Sequence, residues 1–343
     1  MRLSLKRETK RLQKSWTQYP ATMLRDYLVE DLEDPRLNIQ SILSRHFLIE
    51  ALFPNRFAAL QEEELRFAAA MNWAANVLKS GLCAEDAKTL LYALPKSADH
   101  AAGVEIPSFV SKTFATLPTK ADGMIVPNYL EKLLLDAQLE PGRPALAESR
   151  KSTFQLVWRK VLARKRPHGI SVLEPACGSA NDYRFLESFG LARLLDYHGF
   201  DLCKKNIDNA KNLFPYARFA VGNTFAINEL NKSFDYCFVH DLFEHLSLDG
   251  LETAIAELCR VTRKGICAGF FNMAEIDEHQ VRPVDDYHWN SLSMARVREI
   301  FERHGSSVQV IHIGAFLRWR FQCAHTHNEG AYTFRITLGT ASR

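Results

Sequence analysis

Long apolar runs are missing from this chain. None reaches the length needed to cross a membrane. The N-terminal segment is basic but has no apolar stretch behind its charges, so no secretory signal is expected. Paired cysteines are missing too. The seven cysteines are scattered and odd in number, with no CxxC pair, which excludes a disulfide framework. Cys177, Cys237 and Cys267 sit inside apolar, strand-like segments, the pattern of buried thiols in a reduced, cytoplasmic protein. Charge of one sign is scarce: the formal net charge is +3, too small to imply a polyanionic partner such as nucleic acid. Two basic clusters, Arg2 to Lys14 and Arg159 to Arg166, read as solvated faces. There is no internal repeat and no low-complexity tract. The 343 residues suffice for one large or two ordinary domains.

What is present is concentrated in residues 171–186, SVLEPACGSANDYRFL. Val172 and Leu173 predict a buried strand that ends at Glu174. Ala176, Cys177, Gly178, Ser179 and Ala180 then form a turn with almost no side-chain bulk. Such a turn lets a ligand approach the backbone and aims the next helix's N–H groups at it. Further strands are predicted at Tyr197 to Leu202, Ala217 to Asn223, Phe234 to Val239 and Ile266 to Phe271. Helical patterns at Leu202 to Leu213 and Leu248 to Val261 separate them. Strand–helix alternation with short connections implies a doubly wound parallel sheet, with its ligand at the carboxyl ends of the strands. Those ends carry Asp201, Asn223, and His240 with Asp241. A dehydrogenase-type dinucleotide fold is disfavoured because the GxGxxG register is absent.

EPACGSAND, GFD, VGN and FVHDLFEHL, in this order, resemble the motifs of class I S-adenosylmethionine-dependent methyltransferases. The resemblance covers about the C-terminal 190 residues, a full domain by size. Alanines stand at two positions, Ala176 and Ala180, where that family's first motif usually has glycine. The resemblance implies a Rossmann-like α/β fold: a doubly wound, seven-stranded sheet. Ser307 to Ile313 and Tyr332 to Leu338 supply its C-terminal antiparallel edge pair. It also implies S-adenosylmethionine as cofactor. Glu174, Ala176, Cys177, Gly178 and Ala180 would form the turn against it, and Asp201 with Leu202 would meet the ribose. Asn223, Thr224 and Phe225 would surround the adenine, and His240 would lie beside the transferable methyl.

An oxygen acceptor must lose a proton, a task for histidine or a carboxylate. His245, His240 and Asp241 are therefore the catalytic candidates, and O-methylation of a small molecule is the expected activity. DNA amino-methylation, which the CGS tripeptide resembles, needs a proline-containing fourth motif that HDLFEH lacks. Asp241, Glu244, His245 and His288 resemble the metal set of RNA 2′-O-methyltransferases; a divalent metal, and that activity, form an alternative that is not favoured. A non-catalytic cofactor-binding module is a second alternative. For the acceptor, Arg282, His288 and Trp289 follow the fifth strand, and Arg318 lies in a long connection, Arg318 to Gly330, predicted as a loop. Arginines there would suit a carboxylate or phosphate.

Residues 1–144 read as an all-helical domain, a lid or an oligomerisation element that would permit a homodimer. Residues 145–343 read as the methyltransferase domain. The boundary follows Pro141, Gly142 and Pro144. Helical spacing runs from Asn38 to Phe53, Glu62 to Lys79, Ala84 to Leu94 and Val126 to Leu139, with a further helix from Ala145 to Arg166.

Overall fold

Strand β1 (Ile170–Pro175) carries Val172 and Leu173 into the centre of a seven-stranded sheet, where both are buried. The structure is a computed structural model that describes residues 2–18, 38–79, 82–113, 153–166, 169–304, 306–326 and 328–339. The other strands are β2 (Leu195–Asp201), β3 (Arg218–Val221), β4 (Phe234–His240), β5 (Thr262–Phe270), β6 (Ser306–His312) and β7 (Tyr332–Leu338). Their spatial order is β6-β7-β5-β4-β1-β2-β3. Strands β1 to β5 pair in parallel, while β7 runs antiparallel to both β5 and β6. The chain winds outward from β1 to β3, then crosses back to β4 on the other side of β1. That reversal opens a crevice between the carboxyl ends of β1 and β4, where ligands of such sheets bind.

In chain order the helices are α1 (Arg2–Gln18), α2 (Ile39–Leu52), α3 (Ala58–Lys79), α4 (Ala84–Ala93), α5 (Thr153–Ala163), α6 (Asn181–Ser188), α7 (Lys204–Leu213), α8 (Leu248–Val261), α9 (Met294–Glu302) and α10 (Ile313–Phe321). Two units result. One joins Met1–Asp31, Lys165–His312 and Asn328–Arg343; the other joins Leu32–Arg164 and Ile313–His327. The first holds the sheet and α1. Its core includes Leu173, Val239, Ile266, Phe270, Phe334 and Leu258, with Leu5 of α1 packed into the same cluster. Phe243 stacks on Phe270 at 5.3 Å between centroids, and Phe270 meets Phe334 at 4.9 Å. Removing one such buried ring costs about 3–5 kcal/mol.

The second unit is mainly helical; the expectation of an all-helical region is corrected by one short antiparallel hairpin, His100–Ala101 with Val104–Glu105. Asn38 caps α2 by accepting from Ser41 N at 3.0 Å. Its interior contains a charge: Glu64 of α3 is buried and accepts from Arg45 (3.1 Å), His46 (2.7 Å) and the Trp158 indole N–H (2.6 Å). Burial alone would raise the Glu64 pKa. The His46 hydrogen bond, the Arg45 and His46 charges and the Trp158 donor outweigh burial and hold it below the usual range. The network ties α2, α3 and α5 together.

The connection predicted as a loop is in part a helix. Ile313, Leu317 and Phe321 recur every four residues and are buried, so α10 forms with Arg318 and Arg320 on its exposed side. Polar neighbours hid that stripe in the sequence. The predicted helix at Val126 to Leu139, the boundary near Pro144 and the segment 145–152 lie outside the described residues. All seven cysteines are free thiols, and all but Cys83 are buried. No described helix is long and apolar enough to cross a membrane.

Candidate functional site

The turn after β1 is built on left-handed backbone. Ala176 (φ 55°), Gly178 (φ 54°) and Ala180 (φ 68°) all have positive φ. That explains why the positions favour glycine, and each alanine there is strained by roughly 1–2 kcal/mol. A Cβ on Gly178 would meet nothing within 4 Å, so the turn faces open space. Ala180 stands at the N-cap of α6 and makes no side-chain hydrogen bond there.

Asp201, at the end of β2, stitches this turn in place. Its Oδ2 accepts from Gly178 N at 3.0 Å; its Oδ1 accepts from Cys203 N at 2.7 Å and Asn206 Nδ2 at 3.3 Å. Burial raises its pKa above the usual carboxylate range, although those three donors pull the other way. Glu174 is 3% exposed and accepts the Tyr197 hydroxyl at 2.6 Å. Burial, reinforced by the Asp182 and Asp201 charges, pushes its pKa well up despite that donor. Three carboxyl groups, those of Glu174, Asp182 and Asp201, thus lie around the turn.

Past β3, Asn223 turns its Oδ1 to Phe225 N (2.9 Å) and its Nδ2 to Thr9 of α1 (3.3 Å). An adenine amine would share that oxygen with Phe225 N. Beside it, Thr224 Oγ1 is buried with no hydrogen-bond partner among the described residues. Phe225 is buried in the core, and Leu202 is half-buried. Helix α1 is fastened here a second time: Glu8 accepts from Ser247 N (2.7 Å) and Ser247 Oγ (2.5 Å) at the start of α8.

The end of β4 carries two histidine–aspartate pairs. His240 Nδ1 lies 2.8 Å from Asp182 Oδ2, in the first turn of α6. Its ring fills the space above Gly269, where a Cβ would come within 2.3 Å of His240 Cδ2. Burial alone would lower the His240 pKa, but the Asp182, Asp241 and Glu244 charges raise it above the ordinary value. Asp241 follows with φ 50°, an uncommon conformation outside glycine that recurs at functional sites. Four residues on, His245 Nε2 meets Asp241 Oδ1 at 3.1 Å and its Nδ1 meets the His288 carbonyl at 3.1 Å. Burial opposes the charged form of His245, but the Asp241 hydrogen bond and the Asp241 and Glu244 charges raise its pKa. Tyr287 and Trp289 flank the ring at 5.6 and 5.1 Å.

His240, Asp241, His245, His288 and Trp289 are thereby gathered around one strand end. Glu244 turns elsewhere: it is fully buried and accepts the N–H groups of Phe271 and Asn272. Among the described residues no group of three or more His, Cys, Asp or Glu side chains is arranged to hold a metal ion. Arg282 is exposed, with its backbone N–H on Asn290 Oδ1, and Arg318 sits on α10 of the helical unit. Asp182, Tyr197 and Gly269 escaped the sequence reading. Asp182 had one signal, as the acid in the first turn after the small-residue turn; the others depend on pairing across strands. The residues fit S-adenosylmethionine: the left-handed turn faces open space at Gly178, acids cluster around it, and the Thr224 hydroxyl is buried with no hydrogen-bond partner among the described residues.

Residues 172–265, from β1 into β5, match the family model described as a methyltransferase domain. No curated protein matches the chain. Solved structures similar to it include a TehB-like S-adenosylmethionine-dependent methyltransferase from Corynebacterium glutamicum, 21% identical, covering 53% of this chain and 85% of that one with a TM-score of 0.36. An S-adenosylmethionine-dependent methyltransferase from Clostridium acetobutylicum is 12% identical, covering 56% and 94% with a TM-score of 0.38. One from Methanosarcina mazei is 12% identical, covering 52% and 96% with a TM-score of 0.39.

Proposed function

We propose that this chain, which carries an S-adenosylmethionine-dependent methyltransferase domain, methylates a hydroxyl oxygen of a small molecule. The observation that supports an oxygen acceptor is the placement of two imidazoles, His240 and His245, each against an aspartate at the carboxyl end of β4. An oxygen nucleophile needs a proton sink that an amine-methylating site does not require in the same form.

When bound, S-adenosylmethionine supplies an electrophilic methyl group on a positively charged sulfur. The protein's part is to hold donor and acceptor aligned and to exclude water. Asp201, Glu174 and the 176–180 turn form the ribose and methionine side; Asn223, Thr224 and Phe225 form the adenine side. His245, Tyr287 and Trp289 line the acceptor side, with Asp241 fixing His245. Arg282 and His288 are assigned to the acceptor's polar groups. The helical unit is assigned to self-association, and the protein to the cytoplasm.

The test is release of S-adenosylhomocysteine across a panel of phenols, catechols, sugars, amines and thiols. Turnover confined to hydroxyl compounds is expected. Turnover of amines or thiols alone would reverse the assignment.

A further inference from the structure

We propose that Arg11 of α1 is a positioning residue of the acceptor site: it ties down the tip of the hairpin that leads into Tyr287, His288 and Trp289. The inference rests on the acceptor side assigned in the reading above.

Pro283–Val284 and Tyr287–His288 pair antiparallel, with Val284 opposite Tyr287, so Asp285 and Asp286 form the turn between them. Two residues per strand do not hold a hairpin in place, since even longer isolated hairpins are marginal in water. Asp285 also adopts φ 44°, a conformation that favours glycine. The hairpin therefore keeps its position through contacts outside itself. At its base, buried Asn290 donates from Nδ2 to Leu246 O at 2.8 Å and from its backbone N–H to Glu244 O at 2.9 Å. Asn290 Oδ1 also accepts from Arg282 N at 3.1 Å. At its tip, Arg11 Nη2 donates to Asp285 O at 2.8 Å, and Arg11 Nε lies 3.9 Å from Asp286 Oδ1. The exposed ion pair is worth little by itself. The carbonyl's bond to a charged donor is the stronger part of the tie.

Such an arm works only if its helix is fixed, and α1 is fixed to the same unit. Leu5 is buried in the core cluster, and Leu12 packs against it. Glu8 accepts from Ser247, and Thr9 accepts from Asn223. Leu5, Glu8, Thr9 and Leu12 follow the i, i+3, i+4, i+7 spacing of one helix face. Arg11 stands one turn beyond Glu8, at the border of that face, and reaches the hairpin from there.

Between tip and base lie the groups around His245. His288 O meets His245 Nδ1 at 3.1 Å, and the Tyr287 and Trp289 rings lie 5.6 and 5.1 Å from the imidazole. With the tip released, the free protein spends time with these groups out of place. Apparent acceptor affinity then falls by the fraction of competent protein, while the bound complex regains its geometry. Arg11 should thus act on the acceptor KM more than on kcat.

The experiment is hydrogen–deuterium exchange of the full chain, free and with S-adenosylhomocysteine. It is paired with kinetics on whichever compound of the panel turns over best, for wild type, Arg11→Ala and Arg11→Lys. The Trp289 amide, bonded to Arg282 O at 2.8 Å, reports opening of the hairpin. Arg11→Ala is expected to speed its exchange roughly three- to tenfold and to raise the acceptor KM over the same range. Its kcat should stay within about twofold of wild type. Exchange in β4 and β5 and S-adenosylhomocysteine affinity should not change. Arg11→Lys, which keeps a charge and an N–H donor, should recover part of both effects. Faster exchange throughout the sheet would make Arg11 a general stabiliser and overturn the proposal. Wild-type exchange at Trp289, or an unchanged acceptor KM, in Arg11→Ala would overturn it too. Turnover of amines or thiols alone would defeat the hydroxyl reading, whereas a raised KM for those compounds in Arg11→Ala would still support the tie.

Discussion

Tyr197 donates its hydroxyl to Glu174 at 2.6 Å, and both side chains are buried beneath the turn that follows β1. The bond crosses between neighbouring strands β1 and β2. It gives the buried acid a partner where water cannot reach.

Tyr197→Phe leaves the Glu174 carboxyl without that donor. The expected loss is about 1–3 kcal/mol of folding stability. Urea denaturation checks it. An unchanged midpoint would mean that another group satisfies Glu174.

Ala180→Gly relieves a left-handed alanine at φ 68°. Glycine carries no Cβ penalty there but has more freedom to lose on folding. The net gain expected is about 0.5–1 kcal/mol, with S-adenosylhomocysteine affinity retained. A destabilised variant would show that the methyl group packs better than the backbone suffers.

The histidine pairs predict a pH dependence. Folding raises the pKa of both His240 and His245 above the ordinary histidine value. Their contribution is therefore complete below the unfolded histidine pKa and is lost as pH rises through the folded values. Stability by urea denaturation should fall as pH rises from 6.5 upward. Replacing Asp241 by Asn should flatten that fall, since Asp241 acts on both rings. A stability that climbs over this range would contradict the pairing.

Much of the sheet was legible because apolar strands and polar helix faces alternate with short connections. Helix α8 and strand β7 appear with the bounds read from the sequence. The turn was legible from its lack of side-chain bulk. Its strain was not, because an alanine at positive φ looks like any alanine until the backbone is seen. Asp182 was hidden for a related reason: it lies 58 residues from His240, and only the strand reversal between β1 and β4 brings them together. Helix α10 was obscured by arginine and tryptophan between its apolar positions. The hold of α1 on Asn223 and Ser247 left no trace in sequence, since Glu8 and Thr9 read as parts of a basic helix.

Calorimetric titration of S-adenosylhomocysteine into the wild type and Asp201→Ala tests the central claim most directly. The carboxylate organises Gly178, Cys203 and Asn206, and faces the ribose in the proposed site. Binding at one site per chain is expected in the wild type, with a loss of roughly tenfold or more in the variant, the scale of losing charge-assisted hydrogen bonds. No binding by the wild type, or equal affinity in a folded Asp201→Ala protein, would contradict it.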